Sequence, residues 1–300
     1  MTIFAEPQPV STAIAATASA AMAKVEVGAR YISPMWSIFV FNTVAIFTAS
    51  FGTGLLSYIH NVFSGEFSFR SKHRVYAAVS IKMDEMFTII YRQIRRIALI
   101  FDPGFSKIKN NIEEQDNGTP SIWNLFGYTR DDYRMFAYIL PYTVPVLILV
   151  INGMLLGVLL AFFIFNGAIS GYEIIGIQGI VIGVFYTFSY FAFSILPHGI
   201  IELPVLFLTA TLGYRFAYVQ SKAVAEENFF MGDDIESVNR DVSRINSMTS
   251  EYLKSRYLWT VFGIAFVLLL IAAYIEIYVT PVVLEYAMGA VEQLLNVGFA

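Results

Sequence analysis

Residues 140–165 read LPYTVPVLILVINGMLLGVLLAFFIF, 26 positions without one charged side chain. About 20 helical residues cross a hydrocarbon core of about 30 Å, so this run is long enough to span a bilayer. In lipid the backbone must satisfy its own polar groups, and a lone segment does so only as a helix.

Other uncharged or nearly uncharged runs lie on either side. Met35–Ile59 carries no charge; Pro34 is placed to start its helix, and Trp36 and Tyr58 suit the two interfaces. Gly171–Leu196 holds only Glu173, near its beginning. Pro197–Val219 contains His198 and Glu202, with Arg215 near its end, and Tyr257–Val283 contains only Glu276.

The whole composition agrees. The chain is 57% hydrophobic and 14% charged, with a mean hydropathy of +0.62. Soluble domains carry about 25% charged residues to cover a water-facing surface. The expected fold is an all-α, polytopic membrane helix bundle of about five spans. The absence of cysteine excludes disulfides, Cys-ligated metals and thiol catalysis. A net charge of −4 gives no reason to expect nucleic acid as a partner.

The remaining segments are polar. Residues 1–34 are an Ala/Ser/Thr-rich tail, expected to be mobile and to turn helical near Lys24–Tyr31; they lack the order of a secretory signal. His60–Arg134 holds eleven of the nineteen Lys/Arg residues. Within it, Tyr76–Phe101 reads as an amphipathic helix. Met83, Met86, Phe87, Ile90, Ile94, Ile97 and Phe101 recur at three- and four-residue steps, with Arg92, Arg95 and Arg96 mostly off that stripe. Such a helix lies on a membrane surface or packs on another polypeptide. Asp102-Pro103-Gly104 stops it, and Asn110–Pro120 reads as a loop. Gln220–Arg256 reads as a polar helical insertion with Ile235, Val238, Val242, Ile245 and Tyr252 on its apolar side. Residues 284–300 form a C-terminal tail.

The charge rule for orientation then meets an arithmetic conflict. Basic segments stay in the cytoplasm, which places 60–134 inside. Asn166–Tyr172 has no charge and the tail after Pro281 no base, so both fit the outside. Gln220–Arg256, with five Lys/Arg against seven acids, fits the inside less firmly. Five full crossings cannot satisfy all of these placements. A broken or re-entrant helix at residues 197–204 would, because Pro197-His198-Gly199 and Pro204 interrupt a helix; the alternative is five plain crossings that violate the rule.

His198 and Glu202, four apart, share one helix face. Ionisable groups in a bilayer cost about 2.5–3.5 kcal/mol each on insertion scales, so they turn toward partners or cavities. With Glu276 they could form a proton relay, a cation site or a polar clamp between helices. Asn152 is placed to bond a neighbouring helix or that cluster. Gly153 and Gly157 make a small-x-x-x-small face, whose ordinary role is close helix packing. No H-E-x-x-H pair exists among the three histidines, so no metal is expected on that ground. No phosphate-binding G-x-x-x-x-G-K-[ST] loop occurs, so no cofactor and no ATP hydrolysis by this chain are expected. No nucleophile–base pairing emerges from spacing, and the chain does not read as an enzyme.

Three ordered motifs carry a family resemblance: Pro197-His198-Gly199-x-x-Glu202-x-Pro204, Asn152-Gly153-x-x-x-Gly157, and Ala272-Ala273-x-Ile275-Glu276-x-x-x-Thr280-Pro281. Together they resemble the stage II sporulation protein M (SpoIIM) family of multi-pass membrane proteins, over residues 135–283. The resemblance selects His198, Glu202 and Glu276, the residues that membrane energetics also singles out. It implies a cell-membrane protein, non-catalytic, acting as a scaffold or complex subunit alongside protein partners. Relatives occur widely in organisms that do not sporulate, so the sporulation role itself is not carried over. The alternative is a transporter or permease subunit with its polar site at those three residues. Such a subunit would be a homo-oligomer, and an ATP-driven version would need a separate ATPase on its cytoplasmic face.

Overall fold

A computed structural model describes residues 33–101 and 121–298. The expected N-terminal tail and its helix at Lys24–Tyr31, the stop at Asp102-Pro103-Gly104 and the loop Asn110–Pro120 lie outside the described residues, as do the side chains of Phe87 and Ile90–Phe101. No strand occurs among the described residues.

The helices are α1 (Pro34–Ser57), α2 (Ile59–Lys72), α3 (Arg74–Phe101), α4 (Arg130–Ile175), α5 (Ile177–Glu226), α6 (Ile235–Leu253), α7 (Arg256–Tyr274) and α8 (Thr280–Gly298). A 3₁₀ turn at Ile122–Leu125 precedes α4, and a π-helical turn at Ile275–Val279 joins α7 to α8. The expected all-α architecture is present.

The number of spans is not. Four stretches among the described residues are long and apolar enough to cross a membrane: Pro34–Lys72, Arg130–Ile175, Ile177–Glu226 and Arg256–Leu295. The two runs expected on either side of Pro197 are one helix, α5, which passes through Pro197 and Pro204 without interruption. There is no re-entrant break at 197–204. Each proline removes one N–H and leaves one carbonyl four residues back without its usual donor, a loss that membrane helices tolerate when neighbouring groups compensate. At 1.5 Å per residue α5 is roughly 75 Å long, far more than one crossing needs.

The chain divides into two compact units. The first comprises the residues up to Phe47, Leu147–Thr209 and Thr260 onward. Its core joins Ile38, Phe39 and Ile46 of α1, Val205 of α5, and Ala265, Leu269 and Ala273 of α7. Its outer faces carry large exposed apolar side chains, among them Val40, Phe41, Val44, Met154, Val181 and Val267. A water-soluble monomer rarely exposes so much contiguous apolar surface, whereas lipid solvates it. In α4 no residue of the most apolar window is buried.

The end of α4 and the start of α5 form a helical hairpin within this unit. It turns at Gly176, whose φ of 75° is reached by glycine without penalty. Beyond the turn the backbones nearly touch: a Cβ on Gly171 would lie 1.9 Å from the Gly179 carbonyl oxygen, and one on Gly183 1.9 Å from that of Gly167. These four glycines do the close packing that small residues allow. Gly153 and Gly157, where such packing was expected, meet nothing within 4 Å.

The second unit comprises Thr48–Val146 and Ala210–Trp259. Its centre is aromatic, with Phe67, Trp123, Phe126, Tyr133, Phe229 and Phe230 packed with Val238, Val242 and Ile245. Three of the residues expected on the apolar side of α6, Val238, Val242 and Ile245, are buried there. Asp234 caps α6, its side chain accepting from the Ser237 N–H at 2.8 Å. Phe230 has a φ of 61°, unusual for a non-glycine residue; its N–H donates to Asp241 Oδ2 at 2.7 Å and its ring is fully buried. Burial raises the Asp241 carboxyl above the ordinary aspartate range.

Helices α2 and α6 lie side by side. Asn61 and Asn246 exchange amide hydrogen bonds of 3.2 and 2.6 Å, and Ser64 donates to Asn239. The helix that follows α1 therefore packs against the helix that follows α5.

Arg70 of α2 and Asp84 of α3 form a buried ion pair. Arg70 also bonds Glu66 at 2.6 Å, and its guanidinium sits 4.5 Å over the Phe126 ring. Asp84 Oδ2 accepts the Gly127 N–H at 3.2 Å. A Cβ at Gly127 would strike Asp84 and the Ile81 carbonyl at 2.9 Å, so the loop approaches α3 this closely only through glycine. Met83 and Met86, expected on the apolar stripe of α3, are exposed among the described residues, as are Val75 and Val79.

Candidate functional site

His198 and Glu202 sit one turn apart on α5, and Glu276 lies on the π-turn that follows α7. One ligand-type atom from each residue lies within 4.8 Å of the other two. All three are half-buried. The one-face reading of His198 and Glu202 follows from their spacing; the arrival of Glu276 depends on the packing of α7 against α5.

The π-turn has a local cause. Pro281 has no N–H to donate, and its ring crowds the carbonyl four residues back. The turn just upstream widens, and the Thr280 N–H bonds Ile275 O in the five-residue register. Thr280 Oγ1 donates to the same carbonyl at 3.1 Å and lies 3.5 Å from His198 Nδ1. Thr280 and Pro281, singled out by their motif, thus shape the segment that carries Glu276.

Asn42 of α1 completes the group. Its Nδ2 donates to Glu202 Oε1. Nothing in the spacing of the motifs points to Asn42; the only signal is an amide side chain in an uncharged span. Asn152 is not brought to the cluster, and donates instead to Ile148 O of its own helix at 2.8 Å. Gly199 is buried on α5, where a Cβ would meet the Ile195 side chain at 3.0 Å.

The SpoIIM family model, stage II sporulation protein M, matches residues 37–281. The chain belongs to the SpoIIM family. No curated protein and no solved structure matches it. This SpoIIM protein is an integral membrane protein, and the matched region contains every member of the polar cluster, from Asn42 to Thr280.

Chemically, the cluster offers an imidazole nitrogen, two carboxylates and an amide. Two unit negative charges 4.8 Å apart repel by roughly 3–4 kcal/mol at an effective dielectric of 20. A positive charge between them, a proton or a cation, removes that cost. Expecting no metal from histidine spacing considered ligands on one helix, whereas this donor set is assembled from two helices.

Proposed function

We propose that this SpoIIM-family protein is a non-catalytic membrane subunit of the transporter or permease type. His198, Glu202 and Glu276 hold a proton or small cation within the membrane. The observation that carries this reading is the convergence of three ionisable groups beside an irregular helical turn, within helices otherwise nearly free of charge. Discontinuous helices next to ionisable groups are a recurrent device for ion sites in transporters. A clamp between two helices would be served by one neutral hydrogen bond at lower desolvation cost.

Four crossings fit all the charge placements: residues 60–134 and 220–256 in the cytoplasm, Asn166–Tyr172 and the tail after Pro281 outside. Homo-oligomers are part of this reading, because four crossings in one chain are few for a transport pathway. The test is ion flux in proteoliposomes containing the full chain. Proton or cation movement abolished by Glu202→Gln and Glu276→Gln supports the reading; no flux above that of empty vesicles, under any imposed gradient, overturns it.

A second reading, the membrane scaffold, is favoured by one observation. The second unit carries an exposed apolar face on α3 at Val75, Val79, Met83 and Met86, which suits docking. Intact assembly of a complex containing Glu202→Gln, together with no flux, would favour it.

A further inference from the structure

We propose that the cluster of His198, Glu202 and Glu276 is a site for a first-row divalent transition-metal cation, with Mn²⁺ and Zn²⁺ as its most direct probes. The inference rests on the reading of this cluster as an ion site and names the ion class.

Donor chemistry narrows the choice. Imidazole nitrogen suits zinc, iron, copper and nickel, and carboxylate oxygen extends the range to manganese. Alkali cations gain little from imidazole, and calcium takes six to eight oxygens, more than these residues supply. Charge points the same way. Two carboxylates with a divalent ion are neutral, which matters in a low-dielectric site, whereas a monovalent ion would leave one uncompensated charge.

Geometry permits it. Metal–ligand bonds to nitrogen and carboxylate oxygen are about 2.0–2.2 Å, so ligands of one ion lie up to about 4.4 Å apart. The three donor atoms are within 4.8 Å of one another, and a closure of tenths of an ångström brings them onto one ion. Supporting groups are in place. Asn42 holds one oxygen of Glu202, and the Thr280 hydroxyl lies beside the His198 ring. Outer partners of this kind orient ligands, and their loss typically weakens binding about 10–100-fold.

The experiment uses the purified full chain in nanodiscs, stripped with chelator and equilibrated with Mn²⁺ or Zn²⁺ alone. Bound metal is counted by elemental analysis, and Mn²⁺ is examined for coupling to a ligand nitrogen by pulsed electron paramagnetic resonance. The proposal expects one ion per chain and a nitrogen coupling lost in His198→Gln. Binding should be abolished in Glu276→Gln and weakened about 10–100-fold in Asn42→Ala. Nitrogen coupling in the unaltered chain tests the site even if a variant fails to fold.

The two readings fail separately. No stoichiometric Mn²⁺ or Zn²⁺, alongside proton or sodium flux that depends on Glu276, overturns the metal proposal and leaves the transport reading standing. Stoichiometric metal that no gradient moves supports the metal site and removes transport. Binding that is indifferent to His198→Gln and Glu276→Gln overturns the assignment of the site.

Discussion

Asn42 donates a hydrogen bond to the Glu202 carboxylate across 160 positions of sequence, tying the first span to the helix that carries His198. An acceptor half-buried between membrane helices loses both stability and orientation when its donor is removed. Asn42→Ala is expected to lower stability by about 1–3 kcal/mol, the usual cost of leaving a buried group unsatisfied. Unfolding in mixed micelles measures it. A variant as stable as the parent would show that the bond does not hold α1 to α5.

The glycines of the α4–α5 hairpin make a contrast that one assay resolves. Gly171→Ala places a methyl 1.9 Å from the Gly179 carbonyl, so the backbones must part, at a cost of about 1–3 kcal/mol for overpacking. Gly153→Ala meets nothing within 4 Å and removes a poor helix former, so it should be neutral or stabilising by up to about 1 kcal/mol in the isolated chain. Equal effects at the two sites would contradict the packing described.

The Arg70–Asp84 pair is buried and multiply bonded, so removing one partner leaves an uncompensated charge. Asp84→Leu alone is expected to cost about 3–5 kcal/mol. The double replacement Arg70→Met with Asp84→Leu should cost much less than the sum of the single changes. Denaturation of the four proteins in a mutant cycle gives the coupling; simple additivity would mean that the pair is not energetically linked.

Asp241 predicts a pH dependence. Its folded-state carboxyl is raised above the ordinary value of 3.8, chiefly by burial, although it accepts the Phe230 N–H. The folded form then binds its proton more tightly than the unfolded one. The resulting stability is fully present below the ordinary value and is lost as pH rises through the folded value. Asp241→Asn keeps an acceptor for Phe230 and cannot ionise. Relative to the parent, the variant should gain stability as pH rises from about 4 toward neutrality. A difference in melting temperature that stays constant over that range would remove the assignment.

Because the chain has no cysteine, single introduced cysteines report sidedness directly. Cysteines at Ser68 and Ser243 should react with an impermeant reagent from the same face of the membrane, and one at the exposed Ile174 from the opposite face. Reaction of Ser68→Cys and Ser243→Cys from opposite faces is incompatible with α2 and α6 packing together.

Composition alone determined that this chain is an α-helical membrane protein, and three ordered motifs carried its resemblance to the SpoIIM family. Composition and local spacing also picked out His198, Glu202 and Glu276, because a charge in an apolar run is conspicuous and a four-residue step shares a helix face. The apolar side of α6 was legible for the same local reason. Tertiary structure decided the rest: that Pro197 and Pro204 lie within one unbroken helix, and that α2 packs on α6. It also decided that Gly171 and Gly179 rather than Gly153 and Gly157 make the close contact, and that Asn42 rather than Asn152 reaches Glu202. Each of these depends on which faces of two distant helices meet. A shift of one residue turns a helix face by about 100°, so no local pattern determines the pairing until the helices have packed.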